Sequence, residues 1–544
     1  MLKSSIKRPS TQLIKQVLSD FAVTCPDNIN LSGYQGDLTN DSRSISNKTG
    51  TGDIFCAIIG HAQDGRQYVE KAIASGAKLV ISECENEAEH ASIRYIDVAK
   101  EQIAVISFYQ LNKKLFALAS AYYQSPEKSM TMIGITGTNG KTSTSLLLGQ
   151  ILTNCQKPCA IIGTNGAGMV DDLEALDNTT PSATDLVQLF SLFSQKKVSQ
   201  KEVNEEKVTH LAMEVSSHAI EQGRVTGNTF DIAVFTNLSR DHLDYHGTMA
   251  EYSSAKRQLF TCDEKQVAVL NGDDVEARFW LENWPSQKLP QQNLWIYGRS
   301  EIVRQHAQFV SCHSIRHHKQ GVDFVLNTHL GDIKIHSPLL GDFNVDNLLA
   351  VIAVLLIEGI TLTTIATKIT SVKAIAGRME AYSYQHAPTA VVDYAHTPDA
   401  LEKALIACRQ HCNGNLFVVF GCGGDRDKGK RPLMAQAAQK YADCLVVTND
   451  NPRTEKPMSI IEDVLAGLKK DCQVKVIVDR KQAVLETLAK AQDNDVVLLA
   501  GKGHEDYIIL GNDRIDYNER EVVKSFFDNL EQHSLSDKLA GEKT

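Results

Sequence analysis

The chain has 544 residues, of which 42% are hydrophobic and 22% are charged, and its formal net charge is −10. This length predicts about three domains of roughly 150 to 200 residues, because one hydrophobic core rarely grows larger. The negative charge argues against a general nucleic-acid binder, and no apolar run approaches the ~20 residues that insert into a membrane. The N-terminus lacks the apolar core of a signal peptide, and the twelve cysteines follow no disulfide or zinc spacing. We therefore expect a cytoplasmic protein with buried, reduced thiols.

A small α/β domain is predicted for residues 1–128. Strand-like segments at 54–59 and 78–82 flank a helical segment at 67–75. Two polar loops at strand ends, residues 40–43 and 60–66, are rich in hydrogen-bond donors. Taken alone, these loops favour solvated turns over a binding role.

The sequence Ile-Gly-Ile-Thr-Gly-Thr-Asn-Gly-Lys-Thr-Ser at residues 133–143 predicts a buried strand, a glycine loop and the start of a helix. Glycines let backbone N–H groups face an anion, Lys141 supplies a cation, and the Thr142 hydroxyl can hold Mg²⁺. The usual pattern has glycine where Ile135 stands, and Gly134 precedes it here. This variant phosphate loop predicts an ATP site. A glycine turn without a ligand is the alternative, and the Lys-Thr pair in register argues against it.

Residues 129–375 alternate strand-like and helix-like segments, which predicts a mostly parallel sheet. The strand at 209–213 ends at Glu214, and the strand at 232–235 leads to His242. Ligands bind at the carboxyl ends of parallel strands, so we expect both side chains beside the phosphate loop. Glu214 suits a Mg²⁺ shell. His242 alone is equally compatible with a structural role.

Two polar stretches of the central domain are predicted to be solvated surface. Residues 194–207 are rich in charged and polar side chains and form no recognisable motif. The cluster of Cys312, His313, His317 and His318 suggests a metal site, but it stands in a polar stretch with no apparent partners. A solvated surface is therefore the preferred interpretation of both stretches.

A second doubly wound sheet is predicted for residues 376–544, with strands at 390–392, 417–420, 444–447, 475–478 and 496–500. The strands lead into polar, glycine-rich sequences at 393–399, 421–427, 450–453 and 501–505. A single such loop is compatible with a turn. Several of them at one edge of a sheet indicate a second binding face.

Together these motifs resemble the Mur ligases over nearly the whole chain. The segments that carry the resemblance are 137–143, 214–218, 236–247, 377–380, 393–400, 421–432 and 450–453. The family implies an α/β fold of three domains, which are a UDP-sugar substrate-binding domain at 1–128, a central P-loop ATP-binding domain at 129–375 and a Rossmann-like amino-acid-binding domain at 376–544. It also implies an ATP-dependent ligase that phosphorylates a carboxylate, and an amine then attacks the acyl phosphate. The C-terminal motifs resemble ligases that add meso-2,6-diaminopimelate to UDP-MurNAc-L-Ala-D-Glu in peptidoglycan precursor synthesis.

The resemblance also implies roles for individual residues. ATP would contact Gly137, Thr138, Asn139, Gly140, Lys141, Thr142, Ser143, Asn344, Arg378, Asp393 and His396. Mg²⁺ would be held by Thr142, Glu214, His242 and a carbamylated Lys256, and the catalytic residues would be Lys141, Glu214, His242 and Lys256. The UDP-sugar and its peptide would contact Asn40, Ser42, His61, Ala62, Gln63, Asn178, Thr179, Thr180, Ser216, Gln222 and Arg224. The incoming amino acid would contact Arg426, Asp450, Asn451, Pro452, Arg453, Gly501 and Glu505.

The choice of amino acid rests on charge. Diaminopimelate carries a distal carboxylate and ammonium, which require an arginine fork and an acidic partner. Arg453 and Glu505 supply these groups, so diaminopimelate is favoured over lysine. The chain departs from the family at Asn40, where relatives often carry an apolar residue, and at 194–207, which is longer than usual.

Two other functions stay open. The first is a sister activity, such as a lysine-adding ligase or a folate polyglutamylating enzyme. The second is a P-loop nucleotide switch that forms no bond, which would leave the polar loops of the C-terminal domain unexplained. We expect a monomer that binds the three substrates and no nucleic acid.

Overall fold

The structure is a computed structural model that describes residues 10–25, 36–45, 53–61, 63–98, 101–200, 204–227, 230–260, 265–283, 293–384 and 386–541. The chain divides into two compact units. The first comprises Met1–Ser311 and Asn347–Gly359, and the second comprises Cys312–Asp346 and Ile360–Thr544. Within the described ranges, no helix combines the length and apolar character needed to cross a membrane.

The first unit begins with a five-stranded sheet of order β1-β2-β3-β5-β4. Its strands are β1 (Leu38–Thr39), β2 (Ile54–Ala57), β3 (Leu79–Cys84), β4 (Ile93–Val98) and β5 (Glu101–Tyr109), and its helices are α1 (Thr11–Asp20), α2 (Val69–Ala74) and α3 (Leu111–Tyr122). All neighbouring strands are parallel except β4 and β5. The predicted small α/β fold is confirmed.

The larger sheet of this unit follows next. Its strands are β6 (Thr131–Thr136), β7 (Cys159–Gly163), β8 (Gly166–Met169), β9 (Asp172–Glu174), β12 (His210–Glu214), β13 (Ile232–Phe235), β14 (Val267–Asn271), β15 (Leu294–Tyr297) and the start of β16 (Phe309–His318). Their order is β16-β15-β14-β13-β6-β12-β7-β8-β9, and the strands from β16 to β7 are parallel. A mostly parallel sheet was predicted and is confirmed.

Helices cover this sheet, and the same unit contains a separate two-stranded hairpin. The helices are α4 (Lys141–Asn154), α5 (Ala183–Gln195), α6 (Ser217–Glu221), α7 (Leu243–His246), α8 (Met249–Arg257) and α9 (Val275–Glu282). The stretch 194–207, predicted as a surface excursion, contains an antiparallel hairpin of β10 (Lys197–Gln200) and β11 (Asn204–Lys207).

Gly134 lies in the middle of β6, directly under an aromatic ring. A Cβ atom at this position would lie 2.7 Å from the ring of Phe230. Glycine is therefore required at this position because the Phe230 ring packs directly against the strand. Gly134 is not part of the phosphate loop.

The second unit contains a six-stranded sheet of order β19-β20-β24-β21-β22-β23. The strands of the unit are β17 (Gly321–Thr328), β18 (Gly331–Ser337), β19 (Glu380–Tyr382), β20 (Thr389–Asp393), β21 (Leu416–Phe420), β22 (Cys444–Val447), β23 (Val474–Val476), β24 (Val496–Ala500), β25 (Tyr507–Leu510) and β26 (Asp513–Asp516). All neighbours in the sheet are parallel except β19 and β20. Separate apolar clusters pack on its two faces, as expected of a doubly wound sheet.

The helices of this part of the chain are α10 (Asp342–Ile357), α11 (Leu362–Ile369), α12 (Pro398–Gln410), α13 (Lys430–Tyr441), α14 (Pro457–Leu465), α15 (Arg480–Lys490) and α16 (Glu519–Gly541). The chain passes between the two units three times: within β16, within α10, and between Gly359 and Ile360 after α10 has ended. The first two passages lie inside regular secondary structure.

Two side chains of the polar stretch around Cys312, His313 and His318, are exposed as expected. The expectation that the stretch has no partners is wrong, and so is the solvated position expected for Cys312. Cys312 is buried. The Nε2 atom of His317 lies 2.7 Å from Oδ1 of Asp342, and Nε2 of His318 lies 3.3 Å from Oδ1 of Asp323. The partners come from the following hairpin and from α10, so the local sequence gives no sign of them.

The cysteines were expected to be buried and reduced. Cys56 and Cys159 are buried, whereas Cys444, the first residue of β22, is half-buried. All cysteines among the described residues are free.

Candidate active site

The predicted phosphate loop connects β6 to α4. Gly137 has φ +145°, and a Cβ atom there would lie 1.9 Å from Oγ1 of Thr236. No other residue fits this close approach in the left-handed region. The loop is fixed further by Asn237, whose carbonyl accepts from the N–H of Thr138 (2.8 Å) and whose Oδ1 accepts from the N–H of Asn139 (3.0 Å). The N-terminus of α4 directly follows this loop and has no side-chain cap, which is the arrangement that anion sites use.

Lys141 begins α4, and its side chain folds back over the loop. Its Nζ donates to the carbonyls of Gly137 at 2.8 Å and Thr138 at 2.9 Å. Burial lowers the pKa of Lys141, and the carboxylates of Glu214 and Asp241 oppose that shift. The cation is thus held within the glycine loop.

Glu214 ends β12 beside the start of α4, where the sequence predicted it. Its Oε2 accepts from the hydroxyl of Thr142 at 3.0 Å and from that of Thr164 at 3.1 Å, and its Oε1 accepts from the N–H of Thr164 at 2.9 Å. Burial raises the pKa of Glu214, and these hydrogen bonds and Lys141 oppose that shift. A buried carboxylate beside a hydroxyl offers the hard oxygen donors that Mg²⁺ prefers, so these residues fit the metal.

Lys256 lies on α8, and only 1% of it is exposed. Its Nζ donates to the carbonyl of Gly137 at 3.0 Å and stands 4.3 Å from the centre of the Tyr252 ring. Burial, followed by repulsion from Lys141, lowers the pKa of Lys256 to about 6. The sequence chemistry alone showed nothing special at this position, and the structure places it at the phosphate loop.

His242 follows β13 and precedes α7 with φ +52°. Its side chain is about half exposed, and its ring lies 5.0 Å from that of His218 and 6.0 Å from that of Tyr252. Tyr252 thus neighbours both His242 and Lys256. Among the residues that the structure describes, no three His, Cys, Asp or Glu side chains are grouped to hold a metal. A metal role for His242 therefore stays a prediction.

A cavity of about 1510 Å³ opens in the first unit. The residues predicted to meet the UDP-sugar and peptide that line it are Asn40, Ser42, His61, Gln63, Asn178, Gln222 and Arg224. Ala62 lies outside the described residues. The polar loops of the N-terminal sheet, which alone favoured solvated turns, therefore face a common cavity with side chains of the larger sheet. Asn40, the departure from the family pattern, accepts a 2.8 Å hydrogen bond from the Thr184 hydroxyl.

Two threonines lie between this cavity and Glu214. The hydroxyl of Thr179 lies 3.2 Å from that of Thr164, which donates to Glu214. The hydroxyl of Thr180 donates to the backbone carbonyl of Glu214 at 2.9 Å and accepts from the N–H of Ser216 at 3.1 Å. The cavity and the Glu214 carboxylate are thus connected by short polar contacts.

Arg224 carries the main positive charge among these cavity residues. Its Nη1 donates to the carbonyl of Thr180 at 2.7 Å, and its Nη2 donates to Oε1 of Gln222 at 2.5 Å. Burial lowers the pKa of Arg224. The guanidinium is fixed in position by the protein before any substrate arrives.

In the second unit, three of the predicted nucleotide contacts gather around Tyr394. Arg378 stands 4.8 Å above its ring, and Nδ1 of His396 lies 2.9 Å from its carbonyl oxygen. Asp393 accepts 2.8 Å bonds from the N–H groups of residues 379 and 395, and burial raises the pKa of Asp393. Asn344, another predicted nucleotide contact, lies in the first turn of α10. Its side-chain NH₂ group donates to the carbonyl of Leu340, just before the helix, at 2.9 Å.

The loops predicted to receive the amino acid meet at the carboxyl edge of the six-stranded sheet. Nδ2 of Asn451 donates to Oε2 of Glu505 at 2.9 Å. A Cβ atom on Gly501 would lie 2.8 Å from Oδ2 of Asp450, so a side chain there would displace that carboxylate. Asp450, Asn451 and Glu505 thus lie close together at this edge of the sheet.

Arg453 continues the same loop. Arg453 has φ +52°. Its Nη1 donates to the carbonyl of Gly424 at 2.8 Å, and Gly424 belongs to the loop that carries Arg426. Pro452 beside it is buried, and Arg426 is exposed. The two arginines therefore lie on loops that contact each other.

Some residues of these sites were not singled out from the sequence. They are Thr164, Tyr252, Lys502 and Arg431, whose buried guanidinium donates to the carbonyl of Gly423 at 3.3 Å on the loop that carries Arg426. Lys502 belongs to the glycine-rich sequence 501–505, which was recognised. The sequence did not indicate that this lysine is completely buried. The other three act through contacts between segments distant in sequence.

Three family models match the chain. They are the Mur ligase family, catalytic domain, at residues 38–123, the Mur ligase middle domain at 135–355, and the Mur ligase, glutamate ligase domain, at 377–503. A UDP-N-acetylmuramoyl-L-alanyl-D-glutamate–2,6-diaminopimelate ligase of Haemophilus influenzae (strain 86-028NP) is 42% identical over 481 residues, which cover 88% of this chain and 94% of that protein.

Solved structures agree with these matches. A structure of a UDP-N-acetylmuramoyl-L-alanyl-D-glutamate–2,6-diaminopimelate ligase is 32% identical, with a TM-score of 0.70 over 96% of this chain and 100% of that one. A MurF ligase of Thermotoga maritima in complex with ADP is 17% identical, with a TM-score of 0.55 over 93% and 99% of the two chains. The second likeness concerns the fold alone.

Proposed function

The chain belongs to the Mur ligase family, and from this premise we propose that it joins meso-2,6-diaminopimelate to UDP-MurNAc-L-Ala-D-Glu in an ATP-dependent reaction. It is an ADP-forming acid–amino-acid ligase of peptidoglycan precursor synthesis. The observation that carries the choice of amino acid is the charged site in the second unit. There Arg453 can receive a carboxylate, and Asp450 and Glu505 can receive an ammonium group.

The reaction proceeds in two steps. An oxygen of the D-glutamyl γ-carboxylate attacks the γ-phosphorus of ATP, which forms the acyl phosphate and releases ADP. The amine of diaminopimelate then attacks the acyl carbon, phosphate leaves with the former carboxylate oxygen, and the amine loses a proton as the amide forms. Phosphorylation is needed because a carboxylate oxygen is a poor leaving group.

The first step brings a carboxylate towards a polyphosphate, so positive charge must compensate. Lys141 supplies a cation at the loop, where it already contacts two carbonyl oxygens. Thr142 and Glu214 would hold Mg²⁺, which supplies further positive charge against the phosphates. The N-terminus of α4 directs backbone N–H groups at the same anion.

Lys256 suits carbamylation. Burial lowers the pKa of Lys256 to about 6, so most of the amine is neutral at pH 7 and can attack CO₂. The carbamate would carry a negative charge beside Lys141 and could complete a second Mg²⁺ shell with His242. An unmodified ammonium in the same place would repel a metal ion.

The cavity of the first unit supports binding of the UDP-linked peptide. Its volume of about 1510 Å³ is large for a small-molecule site, as an extended nucleotide-sugar peptide requires. Arg224 and Asn178 present donors to anionic and carbonyl groups there. We propose the cytoplasm as the compartment, because the free cysteines of the described residues suit a reducing environment.

The test is phosphate release from ATP in the presence of UDP-MurNAc-L-Ala-D-Glu, with meso-diaminopimelate or L-lysine added separately. Turnover with diaminopimelate and not with lysine is the expected result. Turnover with lysine would keep the ligase and overturn the amino-acid assignment. Nucleotide hydrolysis indifferent to both amino acids would favour a nucleotide switch instead.

A further inference from the structure

Lys502 lies at the centre of the amino-acid site, and we propose that it is a positioning residue for the incoming amino acid. It holds Asp450, Asn451 and Glu505 in the arrangement that receives the substrate ammonium group. This inference rests on the proposed function, because it takes these three residues as the amino-acid site.

The ammonium of Lys502 is surrounded by oxygen atoms. The side chain is completely buried. Its Nζ lies 2.7 Å from Oδ1 of Asn451, 2.7 Å from the carbonyl of Tyr507, 3.1 Å from Oε2 of Glu505 and 3.2 Å from Oδ1 of Asp450. Four oxygens compete for three N–H donors, so no donor is left for a ligand. Lys502 therefore acts on a substrate only through its neighbours.

The orientation of the Asn451 amide follows from Lys502. Oδ1 of Asn451 accepts from Lys502 and also from the N–H of Ile509 at 2.9 Å. Because two donors point at the same atom of the Asn451 amide, that atom must be the oxygen. The NH₂ group of the amide therefore points to Oε2 of Glu505. The other carboxylate oxygen of Glu505 contacts the hydroxyl of Tyr394 at 3.4 Å. A single buried cation thus fixes both an amide and a carboxylate.

Charge balance gives the same assignment. Asp450 and Glu505 carry two negative charges, and Lys502 carries one positive charge. The neighbouring cation Arg480 is already neutralised by Glu519, with which it makes bonds of 2.5 and 2.9 Å. One negative charge remains, which matches one ammonium group of an amino acid. Arg453, three residues after Asp450 on the same loop, offers a guanidinium to a carboxylate.

Without Lys502, Asp450 and Glu505 would lose the cation that both contact. Like charges repel, so we expect the two carboxylates to turn apart and the Asn451 amide to lose its fixed orientation. The variant site would carry a second net negative charge and would attract an ammonium group more strongly, but this attraction does not orient the substrate. We expect the loss of correctly oriented oxygen acceptors to have the larger effect, because a charge-assisted hydrogen bond is strong only in the right geometry.

The test replaces Lys502 with methionine, which has a similar length and no charge. For Lys502→Met we expect the KM for meso-diaminopimelate to rise roughly ten- to a hundredfold, the effect of one or two lost charge-assisted contacts. The KM values for ATP and for UDP-MurNAc-L-Ala-D-Glu should stay within about twofold of wild type, because those sites do not contact Lys502. A purely structural role would change all three constants or none.

Arg409→Met is the matched control. Arg409 also pairs with a carboxylate, Asp443, at 2.6 Å, but at the amino end of β22, where the sheet carries none of the amino-acid loops. We expect this variant to keep the wild-type KM for diaminopimelate. If Lys502→Met does not fold, Lys502→Gln, which keeps a neutral donor for Asn451, takes its place with the same expected rise.

The outcomes separate the two proposals. A wild-type protein without diaminopimelate-dependent phosphate release would refute the proposed function. An active wild type with an unchanged or lowered diaminopimelate KM in the Lys502 variant would refute only the positioning role. Equal rises in the KM values of all three substrates would refute it as well.

Discussion

Lys256 and Lys141 direct their ammonium nitrogens at the same carbonyl oxygen, that of Gly137, from 3.0 Å and 2.8 Å. Two cations at one acceptor repel each other, and Lys256 is the more deeply buried of the two. Burial lowers the pKa of both lysines, and repulsion from Lys141 adds to the shift at Lys256, whose pKa falls to about 6. Lys256 is therefore the lysine that we expect to be neutral near pH 7.

The first prediction concerns pH. Burial lowers the pKa of Lys256 to about 6, well below that of an exposed lysine, so most of the amine is neutral at pH 7. Only the neutral amine attacks CO₂. Enzyme stripped of CO₂ should regain activity when dissolved CO₂ is restored at pH 8, and much less at pH 5, when both samples are assayed at one common pH.

Lys256→Ala is the control for that experiment. It should stay inactive with CO₂ at either pH, and short carboxylates should restore part of its activity by supplying the missing anion. Equal recovery of the wild type at pH 5 and pH 8 would contradict the role of the neutral amine.

The second prediction concerns the phosphate loop. Lys141→Ala should lower kcat by about 10²- to 10³-fold, the effect of removing one group that stabilises charge in a transition state. Phosphate release with all substrates at saturation is the measurement. Lys128→Ala, at an exposed position of the same unit, should behave as wild type. Activity near wild type in the Lys141 variant would remove this lysine from the mechanism.

The third prediction concerns the choice of amino acid. Arg453→Ala should raise the KM for diaminopimelate roughly ten- to a hundredfold, because an arginine–carboxylate contact is lost. Arg453→Lys should restore little of it, since an ammonium cannot make two parallel hydrogen bonds. The ratio of kcat/KM for diaminopimelate and L-lysine is the decisive measurement. An unchanged ratio would mean that Arg453 does not distinguish them.

The fourth prediction concerns stability. Arg480 and Glu519 are both completely buried, with N–O distances of 2.5 and 2.9 Å. Arg480→Met leaves the carboxylate of Glu519 buried without its partner and should lower the free energy of unfolding by about 3–5 kcal/mol. The double variant Arg480→Met/Glu519→Leu should recover most of that loss. Denaturant unfolding measures both, and a double variant as unstable as the single one would count against the explanation.

The parts of the fold that depend on local sequence were predicted well. The strand, loop and helix around Lys141 follow from apolar periodicity and glycine spacing, which act over a few residues. The position of Glu214 beside Thr142 followed from a rule about parallel strands, and a 3.0 Å hydrogen bond now joins them. Roles at these positions still await the experiments above.

Contacts between segments that are distant in sequence could not be predicted from the sequence. His317 looked solvated because its partner, Asp342, stands 25 residues further on, at the start of a helix. Lys502 was not singled out, because nothing near it in sequence indicates its complete burial. Tyr252 is one helical turn from Lys256, yet its proximity to His242 depends on how two helices pack. Burial and pairing are properties of the packed chain.

The contact between Gly134 and Phe230 has a consequence for how this protein can vary over evolution. Position 134 has no room for even one methyl group while the phenyl ring lies 2.7 Å from where that group would stand. Alanine at 134 would therefore require a smaller side chain at 230. The two positions are 96 residues apart, and homologous chains should change them together. Covariation between them in related sequences would reveal this contact without any coordinates.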